Sequence, residues 1–384
     1  MKRLITLTNR VYLEKCEEYD ETVLREKLTY FIDNILKDNG FSSDFSGKKV
    51  VVKPNLLAKR TPDAGVTTSP VFVKIAAEYF VKRGAAVTIA DSPGGLYNAS
   101  SLTAIYRTTG MTDAASGSGA VLNEDYGYQT VTFDGEVTKN LHIINPIAEC
   151  DLIVNVCRLK THALCEMTAA VKNMFGSIPG LQKAEQHARF PQREKFASQL
   201  VDLCLATAPQ INLVDIIVAM EGNGPASGTL KKVGAIAAGA NPFAVDLLCS
   251  TLMGYQPNEV GTVAESIKRD LCPKESTELT VIGENPRDYT HEFVRPDGSA
   301  GGLFKQLPNM FGGKLQKWLE PRPVVNEKKC IGCGECKKCC PADTIEMRNK
   351  KAFIINEKCI KCYCCQELCP AKAINIKRSI FFKL

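Results

Sequence analysis

The stretch Cys330-Ile331-Gly332-Cys333-Gly334-Glu335-Cys336-Lys337-Lys338-Cys339-Cys340-Pro341 carries five cysteines and closes on Cys-Pro. It recurs as Cys359-Ile360-Lys361-Cys362-Tyr363-Cys364-Cys365-Gln366-Glu367-Leu368-Cys369-Pro370. Both fit the spacing C-x2-C-x2-C-x3-C-P. Two-residue gaps let three thiolates of one loop converge on one face of an iron–sulfur cube. The fourth cysteine lies beyond that reach and, in two-cluster proteins, ligates the other cluster. The spacing therefore predicts two 4Fe–4S clusters, one on Cys330, Cys333, Cys336 and Cys369, the second on Cys359, Cys362, Cys365 and Cys340. Each proline stops the chain from continuing as helix and turns it back toward the other half. Structural zinc is the rival for any C-x2-C pair, but zinc ribbons use two pairs separated by a longer stretch. Cys339 and Cys364 are extra thiols beside ligands, read as bystanders.

Working outward, Asn326-Glu327-Lys328-Lys329-Cys330 and Asn356-Glu357-Lys358-Cys359 open two similar halves, each ending in a short β-type stretch, Thr344–Met347 and Ala373–Ile376. Residues 324–377 closely resemble the bacterial-type two-cluster ferredoxins. The resemblance implies a small ferredoxin-like α+β domain and one-electron transfer, usually at low potential. A segment of this size buries too little core to fold without its clusters, so they would also staple it.

The formal net charge of the 384-residue chain is +6. Residues 324–384 hold thirteen Lys and Arg against six Asp and Glu, so the excess sits in this module and the remainder is close to neutral. A basic module steers toward a redox partner with an acidic docking surface, or toward a small anionic substrate. Nucleic acid is not expected, because no groove-entering motif accompanies the lysines. The basic, aromatic tail 377–384 reads as a frayed or packed end.

Pro321-Arg322-Pro323 precedes the module as a stiff linker, and the composition break divides the chain into an α/β domain over 1–285, a linker over 286–323 and the ferredoxin domain over 324–384. Seven further cysteines, Cys16, Cys150, Cys157, Cys165, Cys204, Cys249 and Cys272, are scattered before it. Hydrophobic residues make up 45% of the chain and charged residues 23%, which favours a globular core. No apolar run is long enough to span a membrane, and Met1–Thr6 turns polar too early for a signal peptide. The expected compartment is the cytoplasm, where clustered cysteines bind metal rather than form disulfides.

The large region alternates strand and helix patterns. Lys48–Lys53, Ala86–Asp91, Asp151–Val156 and Ile211–Val218 read as buried, Val- and Ile-rich strands. Asp20–Lys37, Ser69–Arg83 and Asn241–Met253 read as helices, the second with Pro70 in its first turn and Gly84 as terminator. Strands separated by helices predict a parallel-sheet α/β domain. In such sheets ligands bind outside the carboxyl ends of the strands, and the unusual polar residues fall there. Lys53, Asn55, Asp91, Lys172, Asn173 and Asp246 are candidates for holding an anionic ligand, a cofactor or a cation, and Lys160, His162 and Glu221 for catalysis. His162 is placed in a loop after the third strand, and His187 is a weaker candidate beside it. Cys157 or Cys165 near His162 could serve as a nucleophile, although buried inert thiols are the ordinary case. No P-loop, no strand-linked G-x-G-x-x-G and no C-x3-C-x2-C triad is present.

Lys53-Pro54-Asn55, Asp91-Ser92-Pro93-Gly94, Asn155–His162, Lys172-Asn173-Met174-Phe175-Gly176 and Glu221-Gly222-Asn223-Gly224-Pro225 together resemble the family catalogued as domain of unknown function 362, over about residues 45–255. Members often carry a ferredoxin module, so the resemblance implies this architecture without naming a substrate. The expected function is an iron–sulfur oxidoreductase component that moves single electrons between a redox partner and a substrate or cofactor at the sheet edge. One alternative is a carrier whose α/β domain only docks a partner enzyme; another is an enzyme with purely structural clusters.

Overall fold

A near-continuous run of Val, Ile and Leu makes a stable strand only where both faces of the sheet are covered. The stretch beginning Leu152-Ile153-Val154 meets that condition in the computed structural model, which describes residues 3–298 and 321–377. The strands of the large domain are β1 (Arg10–Lys15), β2 (Lys49–Lys53), β3 (Ala86–Ile89), β4 (Val121–Leu122), β5 (Tyr128–Thr132), β6 (Asn140–Ile144), β7 (Leu152–His162), β8 (Glu166–Thr168), β9 (Ile211–Glu221), β10 (Thr229–Gly239) and β11 (Thr280–Gly283). Alternate residues of β7 enter opposite layers. Leu152, Val154 and Val156 pack with Leu24, Leu28, Phe31, Phe72 and Phe80. Ile153, Cys157 and Leu159 pack with Phe196, Leu200, Phe243 and Leu247 on the other face. Each large side chain so buried contributes about 1.5–3 kcal/mol, and the result is a three-layer α/β domain.

The nine-stranded sheet runs β11-β1-β10-β9-β7-β2-β3-β4, with β8 paired on β7. β4, β3, β2, β7 and β9 are mutually parallel. β10 returns antiparallel beside β9 and pairs antiparallel with β1, so the sheet is mostly rather than wholly parallel. β5 and β6 form a separate hairpin.

The helices follow their signals. Glu21–Asp38 starts after Asp20, whose carboxylate accepts the Thr22 and Val23 N–H groups, a cap worth about 1 kcal/mol. Pro70–Val81 starts at its proline, and Pro242–Leu252 follows the Asn241 cap.

Two strands outrun expectation. β7 continues through Cys157–His162, so His162 is a strand residue and not a loop residue, and β9 reaches Glu221. The polar residues of 157–162 look like a solvated loop because their partners are distant in sequence. Arg158 of β7 pairs with Asp215 of β9, Nη2 to Oδ2 2.8 Å, with exposures of 3% and 0%. Tyr19 donates its hydroxyl to Asp215 Oδ1 at 2.9 Å and accepts from Arg158 at 2.5 Å. A strand can carry such charges inward once each has its counter-charge.

The cysteine-rich module adds β12 (Arg322–Val325), β13 (Ile345–Arg348), β14 (Lys351–Ile354) and β15 (Ile374–Lys377). β12 pairs antiparallel with β15, and β13 with β14. Arg322 and Pro323, expected as linker, are therefore strand residues; Pro323 is accommodated because β12 has a neighbour on one side only. Of the expected linker, 299–320 lies outside the described residues, as does the tail 378–384. Residues 286–298 pack on the large domain, with Tyr289 and Phe293 buried and Gly222 donating its N–H to the Val294 carbonyl at 2.7 Å. Among the described residues no helix is long and apolar enough to cross a membrane.

Arg158→Ala leaves Asp215 buried without its counter-charge, held only by the Tyr19 hydroxyl and the Ile217 N–H. We expect a loss of about 3–5 kcal/mol in denaturant unfolding; a change below about 1 kcal/mol would contradict the role given to this pair.

Candidate functional site

The carboxyl ends of β2, β3 and β7 bring the lysines and aspartate of the candidate set to one edge. Lys53 ends β2 with no solvent exposure. Its ammonium donates to Asp91 Oδ1 at 2.7 Å and to the Pro54 carbonyl at 3.2 Å. Asp91 Oδ2 accepts the Leu56 N–H at 2.9 Å, so the carboxylate clamps the loop after β2. Gly176 is forced by the same contact: a Cβ there would stand 2.0 Å from Asp91 Oδ1 and 2.7 Å from Lys53 Nζ.

Beside this pair runs a chain of buried amides. Asn155 donates to Asn212 Oδ1 at 2.9 Å and to the Ala170 carbonyl at 3.0 Å, and Asn173 donates to Asn155 Oδ1 at 2.8 Å. Asp246 accepts the N–H groups of Ala170 at 2.6 Å and Val171 at 3.3 Å, capping the short helix Ala170–Asn173. Burial pushes its carboxyl up to about 7, against the lowering pull of those two bonds. Asp246 thus sits behind the site and does not line it.

In front of these groups is a cavity, partly open to solvent, with about 740 Å³ of empty space including its mouth. The α/β domain lines it with Asn55, Asp91, Lys160, His162, Lys172, Asn173, Phe175, Lys183 and His187. Lys160 is fully buried and donates to Asn55 Oδ1 and to the Val66 carbonyl at 2.6 Å, with no carboxylate paired to it among the described residues. Burial, reinforced by the Arg158 charge, pushes its ammonium down to about 7. Lys183 donates to Ser92 Oγ at 3.1 Å and to the Pro93 carbonyl at 3.2 Å, and burial pushes it down to about 7 as well. Lys172 holds its ammonium 4.2 Å from the Phe175 ring centre. Asp91 is already matched by Lys53, so the wall from this domain carries excess positive charge.

His162 Nδ1 accepts the N–H groups of Leu164 at 3.1 Å and Cys165 at 3.3 Å. That assigns the ring proton to Nε2, which lies 3.2 Å from Glu367 Oε1. Burial holds the imidazole below its ordinary range, so the contact is one between neutral histidine and carboxylate. His187 stacks on Phe196, ring centres 4.3 Å apart, and burial pushes it down to about 3. Its Nδ1 is buried without a partner, as are Asn173 Oδ1 and Thr168 Oγ1 on the same wall. Glu221 does not line the cavity: it pairs with Lys231 at 2.9 Å and accepts the Val294 N–H. Cys157 and Cys165 are buried, and burial raises both thiols, Cys165 to about 11, which removes thiolate character at neutral pH.

The opposite wall belongs to the cysteine-rich module: Cys339, Cys364, Glu367 and Leu368. Besides the His162–Glu367 contact, Gln366 donates to the Asn223 carbonyl at 3.1 Å and Arg60 to the Cys369 carbonyl at 2.7 Å. Leu368 lies so near Gly94 that a Cβ there would meet it at 2.4 Å. Ser92 lies in a segment that the sequence singles out, whereas Lys183 and the module wall are not among the sequence candidates. Lys183 stands on a short polar helix, Gln182–Arg189, where a lysine carries no signal.

Within the module, Cys330, Cys333, Cys336 and Cys369 line one void of about 340 Å³. Cys340, Cys359, Cys362 and Cys365 line another of about 320 Å³, joined by Cys364. Among the described residues no group of three or more His, Cys, Asp or Glu closes on a single ion; the sulfurs ring voids instead. The lining suits an iron–sulfur cube, with thiols, apolar side chains and no carboxylate or imidazole. Backbone N–H groups of Thr344, Lys361 and Ala373 point at Cys340, Cys359 and Cys369 sulfur, at 3.3, 3.4 and 3.2 Å. Such bonds stabilise thiolate charge.

Comparison with known proteins accords with this geometry. Residues 322–370 match a 4Fe-4S dicluster domain, and residues 50–251 match the family described as domain of unknown function DUF362. A thylakoid-associated protein of Synechocystis sp. is 30% identical over 243 residues, which is 63% of this chain and 74% of that protein. Ferredoxin-2 of Desulfomicrobium norvegicum is 52% identical over 29 residues, 8% of this chain and about half (49%) of the ferredoxin. The lactate racemase apoprotein of Thermoanaerobacterium thermosaccharolyticum aligns with a TM-score of 0.41 at 14% identity, over 64% of this chain and 57% of that one. Residues 50–251 make up more than half of the chain: the protein belongs to the DUF362 family and carries a 4Fe–4S iron–sulfur module.

Proposed function

We propose that the protein is an iron–sulfur electron-transfer protein of a reducing compartment. In this reading its module holds two 4Fe–4S clusters, and its α/β domain binds a small anionic substrate or cofactor at the sheet edge. The observation that carries the reading is the shared cavity, with Lys160, Lys172 and Lys183 on one wall and Cys339 and Cys364 on the other. The clusters, on Cys330, Cys333, Cys336 and Cys369 and on Cys359, Cys362, Cys365 and Cys340, supply one-electron redox chemistry when bound. The chain's own residues do the rest. Lys160 and Lys183 are the anion's ammonium donors, Asn55 orienting the first and Ser92 the second. Lys53 neutralises Asp91, which would otherwise repel an anion. Phe175 and His187 exclude water, and the unpartnered polar atoms of Thr168, Asn173 and His187 await a ligand.

His162 is engaged by Glu367, and the Glu221–Pro225 turn meets Gln366 through the Asn223 carbonyl. Both are better suited to seating the module than to proton transfer. The partner would be a redox protein, and the anion a compound that gains or loses electrons in the cavity.

Anaerobically purified protein should contain about eight iron and eight sulfide per chain, the content of two cubes, and give two interacting paramagnets on reduction. Stoichiometric zinc without iron would end this reading. Phosphate, as a simple anion, should perturb those signals, and Lys160→Met should weaken its binding at least about tenfold at unchanged iron content. Lys160 and Lys183 carry their protons below about 7 and lose them above it. Affinity for sulfate, whose charge is constant across neutral pH, should therefore fall as pH rises through 7, measured by titration calorimetry; a flat or rising profile would remove the two lysines from the binding role.

A further inference from the structure

The two cysteine-ringed voids differ in what surrounds them. Cys364 lines both the Cys340–Cys359–Cys362–Cys365 void and the large cavity, while the other void shares no lining residue with that cavity. The latter instead reaches the surface. Cys333 is the one exposed cysteine among the described residues, and beside it Ile331 is 68% exposed. Lys328, Lys329 and Lys337, within four residues of them in the chain, are exposed, as is Lys350, whose carbonyl lies against Gly332. The acids on this face are Glu327 and Glu335, and Glu335 is already paired with Lys338 at 2.8 Å, which leaves the surface strongly basic. An exposed apolar residue at the centre of a ring of like charges is the pattern of an electrostatically steered protein contact.

We propose that this lysine-ringed face around Ile331 and Cys333 is the docking surface for an acidic one-electron carrier protein. The proposal rests on the reading of the module as an electron-transfer unit. It divides the labour: the Cys333 side meets the external carrier, and the Cys364 side faces the cavity ligand. The exposed lysines draw the carrier in, and Ile331 contributes the dry contact at the centre.

The test uses the anaerobically purified full-length holoprotein and, as probe, an oxidised acidic bacterial-type ferredoxin, with binding followed by titration calorimetry. Binding should weaken as salt rises from about 0.01 M to about 1 M, where the screening length falls from roughly 30 Å to 3 Å. The double variant Lys328→Glu/Lys337→Glu should weaken it at least about tenfold and Lys328→Gln/Lys337→Gln by less, while Lys139→Glu on the distant hairpin should leave it within about twofold. Iron content of each variant reports its folding. Equal affinity in all variants overturns the surface, as does capture of phosphatidylglycerol vesicles with the same lysine dependence and no ferredoxin binding. Protein that carries no iron overturns the underlying reading itself, so the two failures are told apart.

Discussion

Lys53 and Asp91 face each other at 2.7 Å at the ends of two adjacent parallel strands, both almost without solvent. A buried ion pair is stable only when its remaining hydrogen-bonding capacity is used, and here it is. The aspartate takes the Leu56 amide, and the lysine takes the Pro54 carbonyl. The loop that bears Asn55 is thereby held, and Asn55 in turn receives Lys160 from the neighbouring strand. Gly176 can approach because it has no Cβ, and its carbonyl accepts the Ser92 N–H at 2.9 Å. Ser92 then receives Lys183 and the Gly180 N–H. One ion pair thus sets the floor on which the other cations are arranged.

The second organising feature is the closure of that floor by the module. The contacts that seat it are polar at His162, Asn223 and Arg60, and apolar where Leu368 meets Gly94 and where the buried Tyr363 and Ile376 join the core cluster of the large domain. The module supplies a whole wall of the cavity, so the cavity belongs to both parts of the chain. The family match and the iron–sulfur match describe its two halves separately.

The sequence makes some of this legible and hides the rest for physical reasons. The cysteine spacing is legible because cluster geometry demands short, regular gaps, and the structure lines one void with Cys330, Cys333, Cys336 and Cys369 and another with Cys340, Cys359, Cys362 and Cys365. The strand ends are legible because parallel α/β sheets gather their loops at one edge. Lys53, Asn55, Asp91, Lys160, Lys172 and Asn173 accordingly meet there. Asp246 and Glu221 follow the same rule to the sheet edge but spend their carboxylates on local work, a helix cap and a lysine pair, which no local pattern reveals. His162 looked like a loop residue because Arg158 and Lys160 read as solvated. Only the fold supplies Asp215, Asn55 and Glu367, from 57, 105 and 205 positions away in the chain. Lys183 carries no signal at all, since its role comes from the seating of a short helix against Ser92.

The most direct measurement of the account is an anaerobic crystal structure of the full chain with data collected across the iron edge. The account predicts iron scattering in both cysteine-ringed voids and an anion in the shared cavity, within hydrogen-bonding distance of Lys160 and Lys183. Iron absent from either void, or a cavity filled by rearranged protein side chains with the module seated elsewhere, would contradict it.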